Sequence, residues 1–254
     1  MENIRLGEIM SMVRRDGKVT TDSIAERFGV TVQTARRDLG TLCDTGQLTR
    51  VYGGAVLPSG TRNVRHDDRQ TLNAVAKAGI AAVLADRIPD GASVFIDIGT
   101  SLEAVARALS EHRNLMVVTN NLHAASSLAQ TDEIEVIVAG GVLRSSDGGL
   151  VGESAAEFLR QFRTDFALFG ASALSQSGDA LDYDYREVKV AQTVMSLARQ
   201  SVLVADHSKF NRSAPVRIAA ISDFDMFVTD TQPPEGIAEE CQLHGCEILI
   251  GTGR

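Results

Sequence analysis

The sequence TVQTARRDLGTL, residues 31–42, decides the fold of the N-terminal part of this chain. Its apolar residues recur at helical spacing and would share one face of an α-helix; they are Val32, Ala35, Leu39 and Leu42. Thr31 is a residue type that favours the position just before a helix, and Gly46 favours its end. The stretch therefore predicts a helix between Thr31 and Gly46 with one buried stripe.

Two further helices and a hairpin are predicted around this helix. Apolar residues at helical spacing begin at Ile4 and stop before Asp16-Gly17, and a second helix begins at Thr20-Thr21 and ends at Gly29. Residues 48–56 alternate in polarity and contain two glycines, which is typical of a small hairpin. Three helices followed by a hairpin predict a winged helix-turn-helix domain over residues 1–57.

The polar side chains outside the buried stripe are suited to contact DNA. In a helix-turn-helix, the N-terminal half of the recognition helix places its side chains against base edges and phosphates. Arginine can pair with guanine and glutamine with adenine, whereas threonine and lysine suit phosphates. The residues predicted to contact DNA are Lys18, Thr31, Gln33, Thr34, Arg36, Arg37, Arg50 and Tyr52. From composition alone, a solvated helix face that carries two arginines remains an open alternative.

The net charge of −8 does not by itself favour nucleic acid, because phosphate binding depends mainly on Lys and Arg. The excess of acid lies in the second part of the chain. Up to Leu57 there are 8 Lys and Arg against 7 Asp and Glu, and the remainder has 17 against 26. A local arginine cluster can therefore face DNA while the acidic part is held away from it.

The second part of the chain has the pattern of an α/β domain. Residues 58–63 are polar and rich in helix breakers, so residues 58–72 are predicted to be a linker. His66-Asp67-Asp68-Arg69 follows, and then a long helical pattern through Leu84. From Ser93 onward, short apolar runs alternate with amphipathic segments; the runs are residues 94–96, 115–118, 136–138, 166–169, 202–204, 226–228 and 247–250. Residues 73–254 are therefore predicted to form a mostly parallel sheet covered by helices on both faces.

Polar and glycine residues follow several of these strands at their carboxyl ends, where open α/β sheets bind ligands. The candidate effector residues are Asp97, Gly99, Thr100, Ser101, Asn120, Asn121, Gly140, Gly141, Asp147, Gly148, Glu187 and Lys209. The first of these groups opens a helix, whose backbone N–H groups can cradle an anion. Taken singly, each feature also fits a turn, a helix cap or a solvated lysine. Their convergence predicts a site for a polyol phosphate or a sugar phosphate.

Motifs in both parts resemble the DeoR family of bacterial repressors. They are Gly17-x-Val19-x-Thr21, Ile24-Ala25-x-x-Phe28-x-Val30, residues 34–39, Leu48-x-Arg50-x-x-Gly53-Gly54-Ala55, and residues 95–100, 118–122, 143–149, 162–166 and 206–210. The resemblance implies a repressor that is not an enzyme, binds operator DNA, and needs neither a cofactor nor a metal. It also implies a C-terminal domain similar in fold to ribose-5-phosphate isomerase. The motifs of the second part resemble the branch of the family whose inducer is sn-glycerol 3-phosphate.

Two positions depart from the family pattern. Tyr52 stands where the family usually has His before the glycine pair, so the DNA contacts of the wing are expected to differ. Ala173 stands where the family commonly has Gly, in Gly170-Ala171-Ser172-Ala173, so this loop is expected to bend less freely beside the effector site.

Compartment and assembly are predicted from simpler features. No run of 18 apolar residues and no signal-peptide layout is present, so the protein is expected in the cytoplasm with no membrane contact. The three cysteines, Cys43, Cys241 and Cys246, are too few for a disulfide framework and are expected to be reduced. Because operators are usually recognised by symmetric pairs, a homo-oligomer, either a dimer or a tetramer, is predicted. Effector binding would reach the DNA-binding part through the linker or through the subunit interface.

A sugar-phosphate isomerase or kinase-like enzyme with an accessory DNA-binding domain is the alternative function. Such an isomerase needs a general base, and Glu187, Asp97 or His207 could be proposed. No partner residue in the sequence pairs convincingly with any of them. An oligomeric scaffold is a third possibility, but it does not account for the polar strand ends.

Overall fold

The computed structural model describes residues 2–45, 47–51, 53–56, 63 and 66–253. Three features predicted from the sequence lie outside the described residues. They are the DNA contact of Tyr52, the helix-ending Gly46 and the breaker-rich segment at residues 58–62.

The N-terminal domain consists of three helices and a small antiparallel sheet. Its elements are α1 (Glu2–Asp16), β1 (Lys18–Thr20), α2 (Thr21–Phe28), α3 (Val32–Asp44), β2 (Thr49–Val51) and β3 (Gly54–Val56). Strands β2 and β3 form the predicted hairpin, and β1 pairs with the other edge of β3, with Lys18 opposite Val56. The predicted winged helix-turn-helix fold is confirmed, although the sequence pattern does not predict β1.

Local sequence explains where α2 and α3 begin and end. The Thr20 hydroxyl accepts a hydrogen bond from the Ser23 N–H at 3.0 Å, and the Ser23 hydroxyl accepts one from the Thr20 N–H at 3.1 Å. Gly29 ends α2 with a φ of 61°, a conformation that glycine adopts without strain. The Thr31 hydroxyl accepts a hydrogen bond from the Thr34 N–H at 3.2 Å, so α3 begins where Thr31 predicts.

The core of the N-terminal domain corrects one detail of the predicted stripe. Ala35, Leu39 and Leu42 of α3 are buried as expected and pack against residues of α1 and α2. Val32 is instead 37% exposed. It is the first residue of α3, so it lies at the margin of this small core rather than inside it.

The predicted linker contains a helix, and the long helical pattern after it is interrupted. The two helices are α4 (His66–Thr71) and α5 (Ala74–Ala85). Between them Asn73 has a left-handed φ of 55°. Its side-chain amide donates a hydrogen bond to Asp206 at 2.8 Å. This long-range bond holds a conformation that breaks the helix, and helical periodicity alone does not reveal it.

The C-terminal domain is built on one parallel sheet of seven strands. Its elements are β4 (Ser93–Ile96), α6 (Thr100–Leu109), β5 (Leu115–Thr119), α7 (Leu122–Leu128), β6 (Ile134–Val138), β7 (Val142–Arg144), β8 (Gly149–Val151), α8 (Glu153–Leu159), β9 (Phe166–Gly170), β10 (Ala173–Leu174), β11 (Asp179–Asp182), α9 (Tyr185–Met195), β12 (Gln200–Val204), the 3-10 helix η1 (His207–Asn211), β13 (Val216–Ala220), the 3-10 helix η2 (Ile221–Asp223), β14 (Met226–Thr229), α10 (Glu235–His244) and β15 (Glu247–Ile250). The strand order is β15-β14-β12-β9-β4-β5-β6.

Both faces of this sheet are covered, which confirms the predicted α/β class. Phe95 of β4 packs in one apolar cluster with Phe169, while its neighbours Val94 and Ile96 pack in a second cluster on the opposite face. Strands buried on both faces appear in a sequence as continuous apolar runs. For this reason all seven strands of the sheet coincide with the predicted runs.

The sequence pattern does not predict the two smaller antiparallel sheets. One has the order β10-β11-β13, and the other pairs β7 with β8. Their strands are short, and β11 has the sequence DALD, which contains no apolar run. Among the described residues, no helix combines the length and the apolar character needed to cross a bilayer.

Candidate functional site

The exposed side of α3 carries most of the residues predicted to contact DNA. Gln33, Arg36 and Arg37 are exposed, and within the described part of the chain neither arginine forms an ion pair. Arg50 of the wing lies beside this helix, because its guanidinium donates to the Arg36 carbonyl oxygen at 3.4 Å. Lys18 is half-buried at the start of β1. These positions leave the guanidinium groups of α3 available to a polyanion.

The orientation of α3 depends on a residue pair that sequence reasoning missed. Asp38 is only 1% exposed, and Arg5 of α1 donates to its two carboxylate oxygens at 2.6 and 3.0 Å. A bidentate pair of this kind fixes the angle between two helices as well as their distance. The sequence signal is weak, because Asp38 directly follows two arginines and its position gives no sign that it is buried.

The C-terminal domain has a cavity of about 1010 Å³ between α4, the β7–β8 loop and the start of α9. It is lined by Asn63, His66, Asp67, Arg69, Arg144, Ser145, Ser146, Asp147, Asp182, Tyr183, Asp184, Tyr185, Arg186 and Glu187. Two of the predicted effector residues, Asp147 and Glu187, therefore line one cavity although they are far apart in sequence.

One side of this cavity is acidic and is organised by Arg144. Its guanidinium binds Asp147 at 2.8 Å, Asp184 at 2.9 Å, and Glu187. Burial raises the pKa of Glu187, and the nearby charge of Asp182 adds to this effect. Asp97 does not line the cavity, but the charges of Asp182 and Arg144 act on it, and burial raises its pKa to about 7. Neutral carboxyl groups donate as well as accept hydrogen bonds, so this side suits the hydroxyl groups of a ligand.

Four cations near Asp206 form a group defined here as the cationic cluster, and one of them, Arg69, lines the cavity and pairs with Asp147 at 3.4 Å. Its members are Arg69, Lys77, Lys209 and Arg212, which surround Asp206 and act on one another electrostatically. Burial lowers the pKa of Lys209 to about 7 and that of Lys77 to about 8. Burial opposes the charge of Asp206, but Lys209 and several hydrogen bonds outweigh it and lower the pKa of Asp206 to about 2.

Two guanidinium nitrogens of the cationic cluster lack a protein partner. Within the described residues, Nε of Arg69 and Nε of Arg212 are buried and make no hydrogen bond. Leaving a buried charged donor unpaired costs free energy, so the arrangement favours binding of an anion. Of the cluster, sequence reasoning identified only Lys209. The other three lie on separate segments, where a single cation has no distinguishing pattern.

Of the residues predicted at the start of α6, Thr100 contacts the backbone of one cluster member. The Thr100 hydroxyl donates to the Arg69 carbonyl oxygen at 3.4 Å, and Lys77 donates to the same oxygen. Both Thr100 and Ser101 are buried at the start of α6, and Gly99 before them supplies no side chain to cap the helix. The first amides of α6 therefore have no competing side-chain acceptor at that position.

Asn120 and Asn121 support the site rather than lining the cavity. Asn120 donates to the Asp97 carboxylate at 3.0 Å, and Asn121 donates to the Asp97 carbonyl oxygen at 3.3 Å. The Asn121 side-chain oxygen also caps α7. Gly148 contacts the same segment, because its carbonyl oxygen accepts a hydrogen bond from the Leu122 N–H at 3.1 Å. These residues hold Asp97 in place.

The positions of Gly140 and Gly141 differ from the prediction that the residues after several strands converge on one effector site. Both are exposed and neither lines the cavity. They follow β6, which is the outermost strand of the sheet and lies three positions from β9. The two glycines thus lie outside the cavity, although Asp147, in the β7–β8 loop that follows them, lines it.

The loop with the family departure does reach the cavity region. The Ser172 hydroxyl donates to Asp182 at 2.8 Å and accepts from the Asn63 amide at 2.8 Å. Ser172 thus connects a cavity carboxylate to a residue of the predicted linker. Among the described residues, no group of His, Cys, Asp and Glu side chains is arranged to hold a metal ion.

Comparison with known proteins covers nearly the whole chain. Residues 5–61 match the DeoR-like helix-turn-helix domain, and residues 72–231 match the DeoR C terminal sensor domain. The chain is 41% identical over 242 residues to the glycerol-3-phosphate regulon repressor of Escherichia coli (strain K12), covering 95% of this chain and 96% of that protein. It is 37% identical over 248 residues to the HTH-type transcriptional repressor CsqR of the same strain, covering 98% and 95%.

Solved structures give a weaker match. A D-ribose-5-phosphate isomerase in complex with phospho-erythronic acid matches with a TM-score of 0.39 and 15% identity, over 53% of each chain. A similarity this low supports no argument about what the chain binds or does.

Proposed function

The chain belongs to the DeoR family of transcriptional repressors, which are regulators rather than enzymes, and we propose that a small phosphorylated molecule, sn-glycerol 3-phosphate, releases it from operator DNA. A helix-turn-helix domain and a sensor domain in one chain imply that it binds both DNA and a small effector. The identity of the effector is suggested by the name of the relative that is 41% identical.

The observation that carries the proposal is the cationic cluster. The four cationic side chains face three carboxylates, Asp206, Asp147 and Glu103, which leaves an excess of positive charge, and burial opposes the charge of Lys77, Lys209 and Arg212. A phosphomonoester carries about −1.5 to −2 charges at pH 7, with three acceptor oxygens. Such a group would compensate the excess charge and supply acceptors to Arg69 and Arg212. We infer that the cluster, with the start of α6, binds the phosphate.

The acidic side of the cavity supports a polyol rather than a bare phosphate. Asp97 and Glu187 are buried carboxyl groups whose pKa is raised, and Arg144 holds Glu187 in position. Hydroxyl groups can exchange hydrogen bonds with carboxyl groups in either protonation state. A ligand with an anionic end and hydroxyls would match these two unlike sides of the site.

Effector binding is best tested by isothermal titration of the DNA-free protein. The panel consists of sn-glycerol 3-phosphate, glycerol, inorganic phosphate, ribose 5-phosphate and fructose 6-phosphate. The proposal expects sn-glycerol 3-phosphate to bind most tightly and to release a duplex operator obtained by selection from random DNA. Tighter binding of a sugar phosphate would overturn the effector assignment, and turnover of any of these compounds would revive the isomerase alternative.

The two arginines of α3 provide a test of DNA binding. We expect Arg36→Ala or Arg37→Ala to weaken binding of the selected operator by about 1 to 3 kcal/mol where the residue contacts a base. A phosphate contact would instead weaken all sequences alike and reduce the salt dependence. Fluorescence anisotropy at two salt concentrations separates these cases, with Arg107→Ala, an exposed arginine of α6, as the matched control. Unchanged binding in both α3 variants would exclude this helix as the DNA-contacting element.

The pH dependence of effector binding follows from Lys209. Its pKa is about 7, so the side chain is mostly neutral at pH 8.5 and mostly charged at pH 6.5. A bound phosphate dianion would raise this pKa, so binding should take up a proton and become tighter as the pH falls from 8.5 to about 7, by about tenfold per linked proton and pH unit. Below about pH 6 the phosphate itself is protonated, so effector affinity no longer increases as the pH falls.

Calorimetry in two buffers with different ionisation enthalpies measures this proton uptake. Besides Lys209, the charged groups that face the site are Asp206, Arg212, Arg69 and Lys77. Lys77, with a pKa of about 8, would contribute at the upper end of the range. Lys209→Met should therefore lose most of the uptake near neutral pH. Equal heats in both buffers for the unsubstituted protein would contradict the expectation.

We also propose that the repressor is a homo-oligomer. Strand β6 is an edge strand of the main sheet, and exposed apolar side chains cluster near it, at Val138, Val142 and Leu143. An uncovered edge strand with apolar neighbours is a common subunit contact. Sedimentation velocity at working concentration distinguishes a monomer from a dimer or tetramer.

A further inference from the structure

The 3-10 helix η1 contacts the DNA-binding domain directly. A methyl group placed on Gly17 would lie 2.7 Å from the backbone carbonyl oxygen of Ser208, well inside van der Waals contact. The next residue of η1, Lys209, belongs to the cationic cluster. One short element therefore links the proposed phosphate site to the N-terminal domain without passing through the linker.

Gly17 connects helix α1 to strand β1, which pairs with the wing strand β3. Its N–H donates to the Val13 carbonyl oxygen at 2.8 Å, which ends α1, and its φ of 75° turns the chain into β1. Lys18 then pairs with Val56 of the wing strand β3. A displacement of Gly17 would therefore move both α1 and the wing sheet, which are rigid elements of the DNA-binding domain.

Ser208 and Lys209 are part of one closed turn. The Lys209 N–H donates to the Asp206 carbonyl oxygen at 3.0 Å, and the Ser208 N–H donates to the Asp206 carboxylate at 3.0 Å. Asp206 in turn accepts from Asn73 at 2.8 Å. Because Asp206 is also the carboxylate at the centre of the cationic cluster, a change in the cluster acts on the turn that positions the Ser208 carbonyl.

We propose that η1 couples the effector site to the DNA-binding domain through the contact between the Ser208 carbonyl and Gly17. The proposal rests on the proposed function, since it requires an anion to bind at the cluster that contains Lys209. A contact with no room for a methyl group permits only a narrow range of domain placements. Closure of Lys209 on a phosphate shifts η1, and the domain placement changes with it. This route is additional to the linker and the subunit interface.

The main test is Gly17→Ala, with Gly29→Ala as the matched control. Both glycines end helices of the same domain with left-handed φ, 75° and 61°, but a methyl group at Gly29 meets nothing within 4 Å. Backbone strain is therefore common to the two variants, and the clash with Ser208 occurs only at Gly17. The measured quantity is the ratio of operator Kd with and without saturating sn-glycerol 3-phosphate, a ratio that is typically about 5 to 150 in allosteric proteins.

The proposal expects this ratio to fall below about 2 in Gly17→Ala and to stay near the unsubstituted value in Gly29→Ala. Binding of sn-glycerol 3-phosphate to DNA-free Gly17→Ala should be nearly unchanged, because Gly17 lies outside the proposed phosphate site. A normal ratio in Gly17→Ala, or equal loss in both variants, would overturn the proposal. If the unsubstituted protein binds no sn-glycerol 3-phosphate, the proposed function fails instead, so the two failures are distinguishable.

Discussion

Lys209→Met should give a repressor that binds its operator normally but is not released by sn-glycerol 3-phosphate. Loss of one partner in a buried charged contact costs about 2 to 5 kcal/mol, so the effector Kd should rise by about 30-fold to several thousand-fold. Lys209 lies on η1 of the C-terminal domain and not on α3, which carries the arginines predicted to contact DNA, so operator affinity without effector should stay near that of the unsubstituted protein. Operator binding across a titration of sn-glycerol 3-phosphate measures both quantities.

The Lys209→Met variant is expected to fold. Burial lowers the pKa of Lys209 to about 7 from its ordinary value of 10.5, so the charged lysine opposes folding at neutral pH. Methionine keeps the length of the side chain without this cost, and Lys77 and Arg212 remain to neutralise Asp206. Lys189→Met, at an exposed lysine of α9, is the matched control. Release of the Lys209 variant at the normal effector concentration would place the phosphate site elsewhere.

Asp97→Asn should stabilise the protein above pH 7 while weakening effector binding. Burial raises the pKa of Asp97 from 3.8 to about 7. Between these two values the folded protein holds a proton that the unfolded chain has released, so the free energy of unfolding falls as the pH rises through this window. The loss is complete above about pH 7 and amounts to about 4 kcal/mol, at 1.36 kcal/mol per pKa unit.

Asparagine at position 97 would avoid this loss and keep the local hydrogen bonds. The Asp97 carboxylate accepts from the Ile98 N–H at 2.8 Å, and an amide oxygen can do the same. The amide nitrogen could donate to Asn120, whose side-chain oxygen is buried without a partner in the described part of the chain. The variant should therefore be more stable than the parent at pH 8, with a smaller difference at pH 5.

Urea denaturation at these two pH values provides the measurement, and Asp132→Asn, at an exposed aspartate, is the control. A variant that is less stable than the parent at pH 8 would refute the inferred pKa. We expect the gain in stability to come with weaker binding of sn-glycerol 3-phosphate. A buried carboxyl group that opposes folding is commonly retained because a functional site needs it.

Much of the fold was predictable because its signals are local. The seven strands of the main sheet are apolar runs, of which the five inner ones are largely buried, and α3 is recognisable from the spacing of Ala35, Leu39 and Leu42. Helix ends at Thr31 and Gly29 depend on residues within one turn. Where tertiary contacts decide the backbone, as at Asn73, the sequence pattern predicts a continuous helix and is wrong.

The site was predictable only in outline. Asp97, Thr100 and Lys209 follow strands near the centre of the sheet, so the rule that ligands bind at carboxyl strand ends found them. The same rule wrongly included Gly140 and Gly141, since it takes no account of strand order. Arg69, Lys77 and Arg212 were missed because a lone cation in a helix or loop has the same appearance in sequence whether it is buried or solvated.

By itself, then, the sequence determined the fold class of both parts and the family, and it predicts which helix faces DNA, because periodicity and motif spacing depend on neighbours within a few turns of chain. Only the tertiary structure decided which charges meet. Arg69 of α4 and Lys209 of η1 lie close enough to act on each other electrostatically, and Gly17 meets Ser208 across the domain boundary. Contacts between residues more than a hundred positions apart depend on strand order and on domain packing. Neither can be predicted from the periodicity of the sequence.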